Sequence, residues 1–219
     1  MSTIAIIPAR GGSKRLPGKN ILNLGGIPLL VHSIQYAQAN ADLIDAVYVS
    51  TDDAAIKKVA LAYGAQVIDR PAAISGDEEP TITTLQHAIT MVGSDVENIV
   101  LLQPTNPLRP ETLLKECFDT FQKTNSDSLF TVTRNHHKLG TIVDHKFIPF
   151  NYEIGQRSQD LQPLYFENGL LYISKVQTIL EGTIVSRNAI PYLVNHIFAQ
   201  VDIDTQEDFD YANYLLTQK

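Results

Sequence analysis

Through the first two thirds of the chain, short β-branched runs alternate with longer stretches of helical period, and few folds can accommodate that alternation. The runs from Ile4 to Pro8, Ala46 to Ser50, Gln66 to Ile68, Ile99 to Leu102 and Ser128 to Val132 read as strands. The segments between them are long enough for crossover helices, which is the pattern of a parallel sheet. Helices are predicted over Leu29 to Gln38, Asp53 to Tyr63, Ile82 to Met91 and Glu111 to Lys123. Pro110 suits the first turn of the last, where an N–H is not needed. From Arg134 to about Asn168 the alternation fails, with only brief strand-like pieces such as Lys146 to Phe150, so this stretch is expected to leave the sheet as an inserted lobe. Strand-like Leu170 to Ser174 and Phe198 to Ile203 return to it. A final helix from Thr205 to Leu216, with Thr205 as N-cap, buries Phe209, Ala212, Leu215 and Leu216 at helical spacing. The expectation is a single α/β domain over residues 1–219, a mostly parallel sheet with helices on both faces.

The net charge of −7 argues against nucleic acid or an anionic membrane as partner, because either would repel the chain as a whole. Any phosphate must therefore meet a local basic patch. The one cysteine, Cys117, has no partner for an intramolecular disulfide and falls in a helical pattern, where a buried, inert thiol is expected. The apolar part of MSTIAIIPAR is too short for a signal peptide, and no apolar run approaches the roughly 18 residues of a membrane span. A reducing, cytoplasmic location is expected. The six histidines form no zinc-binding spacing.

Directly after the first strand comes PARGGSKRLPGKN, Pro8 to Asn20, with three glycines and four basic residues where an open α/β sheet presents its ligands. Glycines such as Gly11 let backbone N–H groups approach phosphate oxygens, and Arg10, Lys14, Arg15 and Lys19 can neutralise a polyphosphate. The order of residues matches neither a P-loop nor a dinucleotide fingerprint. A solvated basic turn would have the same composition.

Three further segments follow in order: DRPAAISGDEEPT (Asp69 to Thr81), LLQPTNPLR (Leu101 to Arg109) and VDIDTQED (Val201 to Asp208). With the basic loop, they resemble the CMP-sialic acid synthetases, also called acylneuraminate cytidylyltransferases, over nearly the whole chain. The resemblance implies a Rossmann-like sheet, a homodimer joined through the lobe at about 134–168, CTP as donor and Mg2+ as cofactor. It assigns Arg10, Lys14, Lys19 and Asn20 to triphosphate and nucleotide contacts, Arg70 and Thr81 to cytidine, Gln103 to the sugar, and Asp202 and Asp204 to the metal. Arg157 and Tyr172 match positions leading into the sugar pocket.

The residue types suit the implied reaction, in which the anomeric hydroxyl of an acidic nonulosonate attacks the α-phosphorus of CTP and pyrophosphate leaves. Lys19 is expected at the α-phosphate, with Arg10 and Lys14 nearer the leaving group, because fixed charge stabilises the charge that develops there. Asp202 and Asp204 alternate along an expected strand, so their hard oxygens share a face suited to magnesium, with Ile203 pointing inward. The same pair could cap the following helix. Asp202 or a metal-bound hydroxide could take the sugar's proton. Arg157 could pair with a carboxylate or a phosphate, across the dimer interface or within its own chain, or simply be a surface charge, and Tyr172 could be a core tyrosine. Gly140, Phe166 or Glu167, and the pair Ile184 and Val185 depart from positions some sialic acid enzymes use, which leaves the particular nonulosonate open. The CMP-Kdo synthetases share the first loop but not LLQPTNPLR. A non-catalytic nucleotide-binding protein of the same fold is the remaining alternative.

Overall fold

A computed structural model describes residues 2–218. In chain order the elements are β1 (Ser2–Pro8), the short hairpin β2 (Asn23–Leu24) and β3 (Ile27–Pro28), α1 (Leu29–Gln38), β4 (Ala46–Thr51), α2 (Ala54–Ala62), β5 (Gln66–Asp69), α3 (Thr81–Val92), β6 (Val96–Leu101) and α4 (Leu113–Thr124). Then follow β7 (Ser128–Asn135), β8 (Gly140–Val143), β9 (Lys146–Pro149), β10 (Leu164–Lys175), α5 (Val176–Leu180), β11 (Ile190–Leu193) and α6 (Gln206–Thr217).

Seven strands form one sheet in the order β11-β7-β10-β6-β1-β4-β5. Pairing is parallel throughout except at β10, which runs antiparallel to both β6 and β7. The side chains of β1 alternate between the two faces. Ala5 and Ile7 pack on the side of α1, α2 and α4, and Ile4 and Ile6 on the side of α3 and α5. Both faces are thus covered, which is why β1 and β6 read as nearly unbroken apolar runs. Full burial of residues such as Ile6 and Leu101 stabilises the sheet by about 1.5–3 kcal/mol each. Cys117 lies in the same core with no exposed surface, and burial pushes its thiol up, as expected of an inert cysteine.

The chain runs from β1 outward through β4 to β5, then returns across the other face through α3 to β6, on the opposite side of β1. Connections from β1 and β6 therefore diverge, and the carboxyl ends of these two strands flank a crevice. Pro8 and the basic loop follow β1, and Gln103 follows β6.

Two expectations need correction. The stretch Phe198 to Ile203 is not a strand: Ile197–Gln200 forms a 3-10 turn and Val201 to Ile203 runs beside the sheet without joining a ladder. Its inward alternation is real, since Val201 and Ile203 are buried while Asp202 is exposed. What holds it is a pair of single bonds, Ile203 N–H to the Thr105 carbonyl at 2.8 Å and the Asn106 amide to the Val201 carbonyl at 2.9 Å. Pro110 also precedes α4 rather than opening it, its carbonyl accepting from Leu113 N–H in a preliminary turn. Thr205, by contrast, caps α6 through a reciprocal capping box with Asp208.

The irregular stretch rises on the extended ends of β7 and β10, which pair from Leu164 with Asn135 down to Glu167 with Val132. Beyond them the β8–β9 hairpin and the segment to Leu164 stand off the domain. There Ile142, Phe150 and Ile154 are 77%, 73% and 86% exposed. Among the described residues no helix is long and apolar enough to cross a membrane.

Candidate functional site

The crevice opens into a cavity of about 490 Å³ whose wall includes Arg10, Lys14, Lys19, Asn20, Arg70, Thr81, Gln103 and Asp204. Four separate sequence segments thus meet in one place. On its floor Lys19 is 8% exposed; its Nζ donates to the Ile203 carbonyl at 2.6 Å and to Asp204 Oδ1 at 3.0 Å. A buried ammonium is tolerable only with such partners. Arg15 reaches the other Asp204 oxygen at 2.7 Å. Arg10 lies 2.6 Å from Asp77 Oδ1, and Lys14 pairs with Oδ2 of the same carboxylate. The Lys14 and Arg10 cations hold the Asp77 carboxyl below its ordinary range. Asn20 fixes the loop by donating to the Arg10 carbonyl at 2.9 Å.

Arg70 follows β5, its N–H continuing the ladder to the Thr51 carbonyl at 2.8 Å. It is 8% exposed, and only Nη1 is satisfied, by Thr84 Oγ1 at 3.0 Å. Nε and Nη2 are buried without a protein partner. Two orphaned donors on a cavity wall are costly unless a ligand accepts from them.

Gly11 lies against the start of α2. Its N–H donates to Asp52 Oδ1 at 3.1 Å, and a Cβ there would come within 2.6 Å of Asp53 Oδ2. Asp53 caps α2 through Ala55 and Ile56 N–H, so Gly11 lets the loop lie against the start of that helix.

Beyond Gln103 the scaffold rests on two residues whose importance local sequence does not announce. Arg109 is buried and donates to the carbonyls of Leu170 at 2.6 Å and Gln103 at 2.9 Å and to Ser33 Oγ at 3.0 Å, while its guanidinium lies over the Tyr36 ring. Burial lowers its pKa to about 10. Asn106 donates to the carbonyls of both Asn168 and Val201. Gly169, at φ 73°, passes so close that a Cβ would meet Asn106 Oδ1 at 2.6 Å. Asn168 in turn is gripped by Thr131 and Thr133.

Asp202 lies two residues from Asp204, outside the residues lining the cavity. Desolvation of its carboxylate and the Asp204 charge push its pKa up, against a hydrogen bond from Thr105 and the Lys19 ammonium. Tyr172 is 8% exposed and packs among Ile4, Ile6 and Leu101; its hydroxyl donates to Glu167 Oε2 at 3.3 Å, and burial raises it. Arg157 stands on the lobe, with a two-pronged pair to Asp160 at 2.7 and 3.1 Å. A single chain does not bring it to the cavity. Lys138 is held within the lobe by the Gln156 carbonyl and the Tyr152 ring. Sequence reasoning missed Asp77 and Thr84, whose partners are distant in the chain.

An open, mostly parallel sheet whose divergent connections enclose a cation-walled cavity defines an α/β protein built to receive an anionic ligand. The chain belongs to the cytidylyltransferase family, whose sequence model matches residues 4–219. It is 34% identical over 217 residues to the N-acylneuraminate cytidylyltransferase of Streptococcus agalactiae serotype III, a match covering 95% of this chain and 52% of that protein. The chain therefore spans about half the length of that relative. To the pseudaminic acid cytidylyltransferase of Campylobacter jejuni it is 32% identical over 230 residues, covering 98% and 96%. In fold it resembles CMP:2-keto-3-deoxy-manno-octonic acid synthetase complexed with CTP, with a TM-score of 0.77, 17% identity, and coverage of 100% and 99%.

Proposed function

We propose that this protein transfers CMP from CTP to the anomeric hydroxyl of an acidic nonulosonate sugar, giving a CMP-sugar and pyrophosphate. The observation that carries the reading is the cavity between β1 and β6, where Arg10, Lys14, Arg15 and Lys19 gather opposite a buried Arg70 with two unsatisfied donors. A polyphosphate suits the cations, and Arg70 with Thr81 can accept the polar edge of cytosine. The names of the two bacterial relatives supply the sugar class.

In this reading Lys19 steadies the α-phosphate, because its ammonium is already desolvated and fixed by Ile203 and Asp204. Arg10 and Lys14 meet the leaving pyrophosphate. Gln103, whose backbone Arg109 holds, orients the sugar. Arg157 and Tyr172 belong to the sugar side, Arg157 by reaching the partner subunit's cavity and Tyr172 through its hydroxyl at Glu167. The donor set of Asp202 and Asp204 fits magnesium, which binds through one or two carboxylates together with substrate phosphates. Bound there, magnesium would neutralise charge on the phosphates. Asp204 would then loosen its hold on Arg15 and Lys19, and Asp202 would serve as metal ligand and candidate base.

The same reading makes the protein a homodimer joined through the lobe, supported by the outward-facing Ile142, Phe150 and Ile154. It also sets the protein in a reducing cytoplasm, where CTP is made and Cys117 stays a thiol. Release of pyrophosphate on mixing with CTP, magnesium and a panel of acidic sugars tests the proposal. Turnover is expected with nonulosonates. Equal turnover with ATP, undiminished turnover in excess chelator, or a preference for Kdo would overturn it.

A further inference from the structure

Both oxygens of Asp77 are taken by cations of the basic loop, Oδ1 by Arg10 at 2.6 Å and Oδ2 by Lys14. Asp77 itself lines the cavity. In its two-oxygen, negatively charged geometry it presents to these cations what one phosphate group would present. Each N–H given to Asp77 is withheld from a polyphosphate, and a phosphate drawn to the same cations would lie against the carboxylate. The pairs are partly exposed, with side chains 32% exposed at Arg10, 80% at Lys14 and 33% at Asp77, so a polyanion can displace them. Lys19 is outside this arrangement, since its carboxylate is Asp204.

We propose that Asp77 is a specificity-determining residue, an internal competitor for the leaving-group phosphates that weakens the hold on pyrophosphate and leaves CMP untouched. The inference rests on the nucleotide-binding reading above. Asp77 is tethered beside Arg10 and Lys14 and competes at a fixed effective concentration. The β- and γ-phosphates of CTP meet the same penalty, which contacts to the nucleoside offset. Once the bond between the α-phosphorus and the bridging oxygen breaks, pyrophosphate loses its tether and Asp77 keeps its own. CMP, without those phosphates, never meets the competitor.

Calorimetric binding of inorganic pyrophosphate and of CMP at low ionic strength, to the wild type and to Asp77→Asn, Asp77→Glu and Glu79→Gln, tests this. Glu79 lines the same cavity on the same segment but makes none of these ion pairs among the described residues. Asp77→Asn is expected to bind pyrophosphate about fivefold more tightly, on the scale of two exposed ion pairs, with CMP unchanged. Asp77→Glu should resemble the wild type, and Glu79→Gln should shift pyrophosphate by less than Asp77→Asn. Pyrophosphate binding that is unchanged or weaker in Asp77→Asn would overturn the inference while leaving nucleotide binding intact. Equal tightening in Glu79→Gln would reduce the effect to net charge and also overturn it. A wild type that binds neither CTP nor pyrophosphate would remove the nucleotide reading itself, and the inference with it.

Discussion

The crevice and the lobe treat their side chains in opposite ways. Around the crevice, charged and polar groups are turned inward and held: Lys19 by Ile203 and Asp204, Arg109 by three acceptors, Asn106 by two carbonyls. On the lobe, Ile142, Phe150 and Ile154 are turned outward and largely exposed. Apart from Arg70 Nε and Nη2, which await a ligand, the crevice takes its polar contacts from its own chain. A region that leaves apolar surface in water is built for something else to cover.

Substitutions can break that contrast, and the largest effect is expected at Lys19. Lys19→Ala should lower kcat about 10²- to 10³-fold, the size seen when a preorganised donor to developing charge is lost. A raised KM for CTP with unchanged kcat would assign Lys19 to simple binding instead. Next is Arg109→Ala, which removes the Arg109 donor from the buried Leu170 carbonyl and leaves the Gln103 carbonyl with Asn106 N–H alone. That should cost roughly 3 kcal/mol, or a Tm lower by about 6–12 °C, by calorimetry. A shift within 2 °C would show the crevice to be less dependent on its own polar contacts than the contrast requires. The smallest effect on the chain is expected at Ile142, where an exposed Ile142→Asp should move monomer stability by less than about 0.5 kcal/mol. It should nevertheless shift the sedimenting species from dimer to monomer at micromolar concentration. A wild type that already sediments as a fully active monomer would leave the lobe's apolar face without its proposed occupant.

Local signals explain what the sequence made legible. The helix Leu29–Gln38 was readable to the residue, since a proline precedes it and its apolar spacing is regular. The four basic residues after β1 announced the crevice because their position follows from the fold. The edge strand β11 escaped notice because Pro191 within it weakens any strand reading. The first part of β10, from Leu164 to Glu167, escaped because three of its four residues are exposed and no apolar alternation marks it. Val201 to Ile203 showed the reverse error: alternation marked an extended segment, but its hydrogen bonds go to the Thr105–Asn106 turn rather than to a strand. Pairings such as Arg10 with Asp77 or Arg70 with Thr84 join segments that touch only after folding. No local pattern encodes them.

The Asn106 amide has a mechanical consequence. Its nitrogen is the shared pivot of two levers: the Asn168 carbonyl, where β10 bends away to support the lobe, and the Val201 carbonyl, one residue before Asp202. Gly169 leaves no slack between pivot and strand. The Asn106 side chain therefore ties the base of the lobe to the backbone one residue before Asp202, alongside the Ile203 bond to Thr105 and the Arg109 bond to Leu170.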